Sequence, residues 1–437
     1  MDAEQIKQIR RIVNEELESN YYSGYPSVPP HTHNGTDNLN INGDLYSLNF
    51  KTGVYGWQLT SAGNLEANNG IFRGTFSIAG TTKTIDNTQN IQIALDSIYT
   101  AGGGVLYLNA GTYTLTSDIS IPSGVSIIGI SVNNCIIDCN TSYKVKMEGT
   151  NVYSTGTVTI NNSSTAVVGS STVWTSAMIG RSILLGDNWY EIVTRTDNTH
   201  ITIANKYTGA NLVGASYFIA TINIGSGLYK VSITNATAEG LKIQYALEPV
   251  INNIFVTGCG TGLNFDQVVF PLLAFTSNEN GVNVDFNNVY GFEISFSDIS
   301  FSTTGAGFVI LNSGNATFFD SSLSGNFGNG MTVTGCNDMA LISVNSKDNG
   351  AKGIEFVSSN NDCQLIAFTA VNNISDGIKL TATSDRISIS NSSILTNGGY
   401  GINIAAATCD NNSVVVPLYN GNVSGTLSNS GTGTIII

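Results

Sequence analysis

From residue 240 onward the chain repeats one small pattern of apolar and polar positions. Glycines at 240, 262, 281, 307, 330, 353, 377 and 401 each precede an apolar, a variable and an apolar residue, giving GLKI, GLNF, GVNV, GFVI, GMTV, GIEF, GIKL and GINI. The second and fourth positions are apolar in all eight, and the third is polar in seven. A period of two puts alternate side chains on one face of a strand. Successive glycines stand 22, 19, 26, 23, 23, 24 and 24 residues apart, which leaves room for several short strands per repeat. That recurrence predicts a parallel β-helix. The fixed Leu and Asn spacing of a leucine-rich repeat is absent. Residues such as Ile354, Ile378 and Ile402 then stack inward, with Asn and Gly at the bends. Roughly a dozen coils at about 4.8 Å each give a rod on the order of 55 Å long, whose two ends need caps.

Upstream the pattern changes several times. Residues 2–19 carry Ile6, Ile9, Val13 and Leu17 at helical spacing, on a helix short enough to need a partner, either copies of itself or a docking protein. NYYSGYPSVPP follows as a linker, and residues 50–80 alternate apolar and polar positions between Gly and Asn turns. Residues 86–130 hold a helical stretch, with Ile91, Ile93, Ala94 and Ile98 suited to closing the open end of the rod. From 152 to 220 the glycine repeat is replaced by short alternating strands, predicting an inserted β-module. The C-terminal NSVVVPLYNGNVSGTLSNSGTGTIII reads as a terminal β cap. The expected organisation is 1–34 helix and linker, 35–84 small β neck, 85–151 cap and first coils, 152–220 inserted module, and 221–437 body and cap.

DNTQNIQIALDSIYTAGGGVLYLNAGTYTLTSDISIPSGVSIIGI, residues 86–130, resembles the opening of the pectate-lyase-like family, which includes phage tailspikes. Asn109 stands where that family's pattern has proline. The resemblance implies an all-β, right-handed parallel β-helix, and for the tailspike branch a homotrimer. Residues 31–35 (His31, Thr32, His33, Asn34, Gly35) are similar to the His-x-His pattern of phage tail-fibre and spike proteins. There, a trimer can hold iron on its axis with six imidazoles. One chain alone offers two nitrogens on one side of an extended strand, and a solvated histidine pair is the other reading. Residues 50–80 and 152–220 also resemble small β-modules of phage tail proteins. The expected partners are two further copies of the chain, a virion tail, baseplate or capsid protein at the N-terminus, and a host surface polysaccharide.

Composition narrows the classes. Charged residues make up 11% and the net charge is −14, which disfavours nucleic acid and anionic membrane surfaces as partners. No apolar run is long enough to cross a bilayer, and the N-terminus does not read as a secretory signal. The cysteines at 135, 139, 259, 336, 363 and 409 lack zinc-site spacing. They read as buried thiols suited to assembly in a reducing host cytoplasm, ahead of display on the virion surface.

Candidate chemistry lies in two places. Trp174, Trp189 and Tyr190 of the inserted module, with Tyr290 and Phe292 of the body, could present rings to sugars, or could form cores of their own. Asp298 and Asp320 stand nine and ten residues before their coil glycines, so adjacent coils bring them close. They form a candidate glycosidase pair, against the reading of bend carboxylates bonded to backbone amides. From residue 231 onward fifteen acidic residues face five basic ones, and no histidine lies there, which sets nucleophilic triads aside. Four functions remain open: a non-cleaving attachment spike, a spike that depolymerises host glycan, a free-standing polysaccharide lyase or hydrolase, and a structural capsid-decorating fibre.

Overall fold

The computed structural model describes residues 45–46, 57–59, 65–67, 82–415 and 418–437. The chain divides into two units, Met1–Phe76 and Ser77–Ile437. In the first, Leu45–Tyr46 and Leu65–Ala67 each pair antiparallel with Trp57–Leu59. The helix expected over residues 2–19 lies outside the described residues, as do His31 and His33.

In the second unit each coil adds one strand to each of three parallel sheets. Thirteen strands stack in the first sheet, from Thr82–Ile85 through Gly104–Leu108 and Val125–Gly129 to Ile435–Ile436. At about 4.8 Å per coil the rod is about 58 Å long. The second sheet starts at Gly111–Thr114 and the third at Ile119–Ser120. Ile354, Ile378 and Ile402 sit in register and fully buried, as the alternation predicts. Phe265, Phe286 and Phe308 stack beneath them along the same sheet at 4.6 and 4.9 Å between ring centroids.

The register corrects one step of the glycine repeat. Leu263 pairs with Val284 and Val284 with Phe308, so Gly262 is followed on the next rung by Asn283, and Asn283 by Gly307. Gly281 falls two residues out of line, which is why the sequence spacings of 19 and 26 looked irregular. The reason is an internal ladder of side-chain amides. Asn326 donates to Asn349 at 3.0 Å, Asn349 to Asn373, Asn373 to Asn397 and Asn397 to Asn422, the last three at 2.9 Å. Each ladder amide occupies the space that a side chain on the repeat glycine of the preceding coil would need. A Cβ on Gly307 would lie 2.5 Å from Asn326 Nδ2, and one on Gly377 2.8 Å from Asn397 Nδ2. Where the glycine is replaced by Asn283, the ladder asparagine is replaced by Ser302. The Asn283 amide then fills the gap, donating to Asn326 Oδ1 at 3.1 Å and to Ser300 O at 2.7 Å, and accepting from Asn280.

Bends between the first and second sheets turn on single left-handed residues, among them Phe296, Asp320, Ser343, Ala367 and Asn391, with φ from 47 to 55°. These side chains are exposed or half-buried, so packing inside the rod does not set their identity, and Phe, Asp, Ser, Ala and Asn all occupy the bend. The helix Ile91–Thr100 covers the first coil, with Asn90 capping Ile93 N–H at 3.0 Å. Its inner face is Ile91, Ala94, Leu95 and Ile98, whereas Ile93, expected inward, is 69% exposed. The i, i+3, i+4, i+7 set wins over the sequence reading because Leu95 completes the stripe. At the other end the segment read as a cap continues all three sheets by further strands. All six cysteines are buried and unpaired, and burial pushes the Cys259 and Cys336 thiols up to about 11, away from reactivity. Among the described residues no helix is long and apolar enough to cross a membrane.

Residues 149–222 leave the rod and return without disturbing it. Ser126 pairs directly with Gly227, and Lys146 with Lys242, so the coils on either side of the excursion stack as neighbours. The excursion is an eight-stranded antiparallel sheet around Trp174, Ile183, Ile192 and Ile219.

The ladder makes a reciprocal prediction. Asn283→Gly leaves an unfilled polar gap beside Asn326, and Ser302→Asn overfills the same space, so each alone should cost about 1–3 kcal/mol. The double substitution restores the arrangement of the other coils and should recover most of that loss, measured as melting temperatures of the three variants.

Candidate functional site

The third sheet presents an unusual outer face over its early coils. Strands Glu239–Leu247, Thr261–Val269 and Val282–Tyr290 point Leu241, Ile243, Leu263, Phe265, Val284 and Phe286 inward. The alternate residues point out and form two aligned rows. One row runs Lys146, Lys242, Asn264, Asp285, and the other Glu148, Gln244, Asp266, Asn287. Charge changes along the rows. Lys242 bonds Glu148 at 3.0 Å, Lys146 reaches Asp118 at 3.2 Å, and Lys144 pairs with Glu239, so the cations are matched within the first coils. Farther along come amides, then the two aspartates.

Asp266 and Asp285 are half-buried. Gln244 donates to Asp266 at 2.6 Å and Asn287 at 3.2 Å, while Asp285 has one longer contact from Asn264 at 3.4 Å. Burial raises both carboxyls above the ordinary value. Amide hydrogen bonds and Lys242 partly offset this at Asp266, and the charge of Asp266 adds to it at Asp285. In register, Asp285 is the diagonal neighbour of Asp266, a spacing of roughly 7–8 Å between such positions in a sheet. An inverting glycosidase holds its two carboxyls about 6.5–9.5 Å apart, and side chains rooted at diagonal positions of neighbouring strands can reach such a separation.

Beside this face the inserted module seats on the rod. Leu184, Trp189, Ala220 and Ile222 pack with Val269, and Phe218 lies 5.6 Å from Tyr245. Next to the seat is an open cleft of about 380 Å³. The module contributes Asp187 from a hairpin turn together with Tyr207, and the rod contributes Tyr290, Asn315, Asn337 and Asp338. Asn315 Nδ2 donates to Asp187 Oδ2 at 2.8 Å, tying the two walls together. Burial, with the charge of Asp187 nearby, pushes the Tyr290 phenol up to about 12, so it remains a neutral donor at any ordinary pH.

The sequence candidates are scattered by the fold. Tyr290 lines the cleft. Trp174 is fully enclosed, its Nε1 donating to Tyr217 Oη at 2.9 Å, and has no face left for a sugar. Tyr190 is buried against Tyr207, with its hydroxyl 3.1 Å from Thr208 Oγ1, and Trp189 forms the seat. Phe292 is a core residue packed edge-on against Phe286 at 5.2 Å. Asp298 lies in the second sheet, paired with Thr276 and Ser322, and Asp320 is the left-handed bend residue two positions before Ser322. The two are on adjacent coils but two residues out of register, on a different sheet from Asp266 and Asp285. Asp266 carried no signal in the glycine repeat. The alternation would have found it, since both aspartates occupy outward positions of neighbouring strands. Among the described residues no group of three or more His, Cys, Asp or Glu is placed to hold a metal.

The described residues of the second unit thus form a parallel β-helix of three sheets with a polar, carboxylate-bearing outer face and a cleft beside it. The chain belongs to the rhamnogalacturonase A/epimerase, pectate lyase-like family, whose model matches residues 74–309. The right-handed β-helix expected from residues 86–130 is thus the fold of the chain. No curated protein matches the sequence. Among solved structures, the A-module of the Azotobacter vinelandii mannuronan C-5 epimerase AlgE4 is 14% identical, covering 79% of this chain and 94% of its own, with a TM-score of 0.48. The Gp54 tailspike of Acinetobacter baumannii bacteriophage AP22, solved with capsular saccharide, is 11% identical over 76% of this chain and 66% of its own, also at 0.48. The catalytic unit of an α-1,3-glucanase from Streptomyces thermodiastaticus is 10% identical over 85% and 73%, at 0.47. No residue role is carried over from them.

Two measurements follow. Trp189→Ala should loosen the module from the rod at a cost of about 3–5 kcal/mol, seen as earlier melting and faster proteolysis within residues 149–222. For the aspartates, raised folded-state pKa values mean that their ionisation opposes folding, and that stability is regained as pH falls through those values. Asp285→Asn should therefore raise the melting temperature at pH 7, and the gain should shrink as the pH is lowered towards about 4, the ordinary aspartate value.

Proposed function

We propose that the protein is a virion spike or fibre that binds a host surface glycan in the cleft between the inserted module and the rod. The cleft carries the reading. Pockets of this kind, an aromatic ring among a few polar groups in a concavity of several hundred Å³, are the usual form of a small-ligand site. Membership of a polysaccharide-active family supports a glycan as ligand. The virion setting, the homotrimer and N-terminal attachment rest on the helical face of residues 2–19, which needs a partner, and on the resemblance of residues 31–35 and 50–80 to phage tail proteins. Light scattering of the full-length protein, with an iron assay beside it, checks the trimer and the proposed His31/His33 site, and a monomer overturns the spike. For binding, the full-length protein should be retained by at least one member of a panel of bacterial surface polysaccharides. Retention should weaken roughly fivefold or more in Tyr290→Ala, taking a ring contact as worth about 1 kcal/mol. No retention on any member would leave the structural-fibre reading.

A second reading, cleavage of that glycan, is favoured by the raised carboxyls of Asp266 and Asp285 at diagonal positions. The more solvated of the two carboxylates would activate water, and the more strongly protonated one would protonate the leaving oxygen. Reducing ends released from a bound polysaccharide measure this. Asp266→Asn and Asp285→Asn should each lower the rate on the order of 10²–10⁴-fold. Asp298→Asn and Asp320→Asn should leave it unchanged, and the reverse pattern would return the chemistry to the second sheet.

A further inference from the structure

The cleft has a charge character that limits what it can hold. Its wall groups include two carboxylates, Asp187 and Asp338, two tyrosines and several asparagines, and no lysine, arginine or histidine among the residues that line it. Asp338 stands exposed on a left-handed bend at the rim, with φ 54°, and Asp187 spans the cleft through Asn315. Burial raises the phenols of both Tyr207 and Tyr290, so neither adds nor removes charge. Arg386, whose charge reaches Asp338, is held by Asp362 through two hydrogen bonds of 2.7 Å, and Lys144, Lys146 and Lys242 are engaged with Glu239, Asp118 and Glu148 on the outer face of the third sheet.

We infer that the cleft accepts a pyranose residue without a carboxylate, neutral or amino-bearing, and excludes uronic acids. The inference rests on the glycan-binding reading above and narrows it. A uronate carboxyl in this space would face the carboxylates of Asp187 and Asp338 and find no cation among the lining residues, with Arg386 already committed to Asp362, the arrangement by which binding sites reject wrong partners. A neutral sugar meets the half-buried Tyr290 and the amide groups of Asn312, Asn315 and Asn337 along the cleft wall. An amino sugar adds an ammonium that Asp187 or Asp338 can accept. The net charge of −14 acts in the same direction at longer range.

Ligand-observed saturation-transfer NMR on the full-length protein, with N-acetylglucosamine, glucosamine and galacturonate as probes, tests this. The two carboxylate-free sugars should give signals that Tyr290→Ala removes, and galacturonate should bind roughly tenfold more weakly or not at all. Asp338→Lys, at an exposed position, should admit galacturonate and weaken glucosamine. It carries the test if Tyr290→Ala fails to fold. Galacturonate binding equal to that of N-acetylglucosamine, with sensitivity to Tyr290→Ala, overturns the ligand class and keeps the cleft. Sugar signals that neither variant changes overturn the cleft while glycan binding stands. No signal from any of the three sugars overturns this inference, and the glycan reading is then decided separately by the polysaccharide panel.

Discussion

The mutual exclusion of a repeat glycine and a ladder asparagine governs how the coils of this rod stack. Parallel coils about 4.8 Å apart leave buried backbone groups at the turn into the third sheet, where no strand partner reaches them. Asn326, Asn349, Asn373 and Asn397 meet those groups and one another, but only because Gly307, Gly330, Gly353 and Gly377 leave the space. Each position is fixed by the other. The rung at Asn283 and Ser302 breaks the identity of both residues and keeps the interaction. The constraint is therefore on the filled volume and the continuous chain of amides, and either strand can supply the side chain.

A rod fixed this way tolerates a large excursion. Coils before and after residues 149–222 stack in register because each rung is held by its neighbours, and the loop between them contributes nothing to the stacking. The module is free to lean along the rod, and its apolar edge at Trp189, Ala220 and Ile222 finds Val269 several strands on. The cleft is a product of that seat. One wall is a hairpin of the module and the other is a set of bends whose positions the ladder has already set, so Asp187 and Asn315 meet across a gap that neither part contains alone.

The same rigidity explains why the outer face can carry partly buried carboxylates. A flat parallel sheet holds Asp266 and Asp285 where their neighbours are amides, and the matched lysines stay on earlier coils. Burial raises both groups, and Lys242 on the neighbouring strand only partly offsets it at Asp266. An acid–base pair needs this condition, and a loop would relax it by turning the side chains to water.

Local pattern was enough to establish the architecture. The tetrapeptides from GMTV to GINI repeat with a nearly constant step, and their period of two cannot be satisfied by anything but stacked strands with one buried face. The four-residue spacing from Asn326, Asn349, Asn373 and Asn397 to the following glycine was legible too. What the sequence could not show is any relation between residues that meet only through stacking. Gly281 passed for a rung because it is followed by alternating valines, and only the ladder reveals that Asn283 holds the position. Trp174 and Tyr290 are equally aromatic in a sequence, yet one closes a core and the other lines a cleft. Asp298 and Asp320 have the spacing of a coil and still miss each other by two residues, because coil length varies by a residue or two and the face of a side chain changes with each one. Period and composition are local and survive such slips. A site depends on register summed over several coils, and tertiary packing alone sets that.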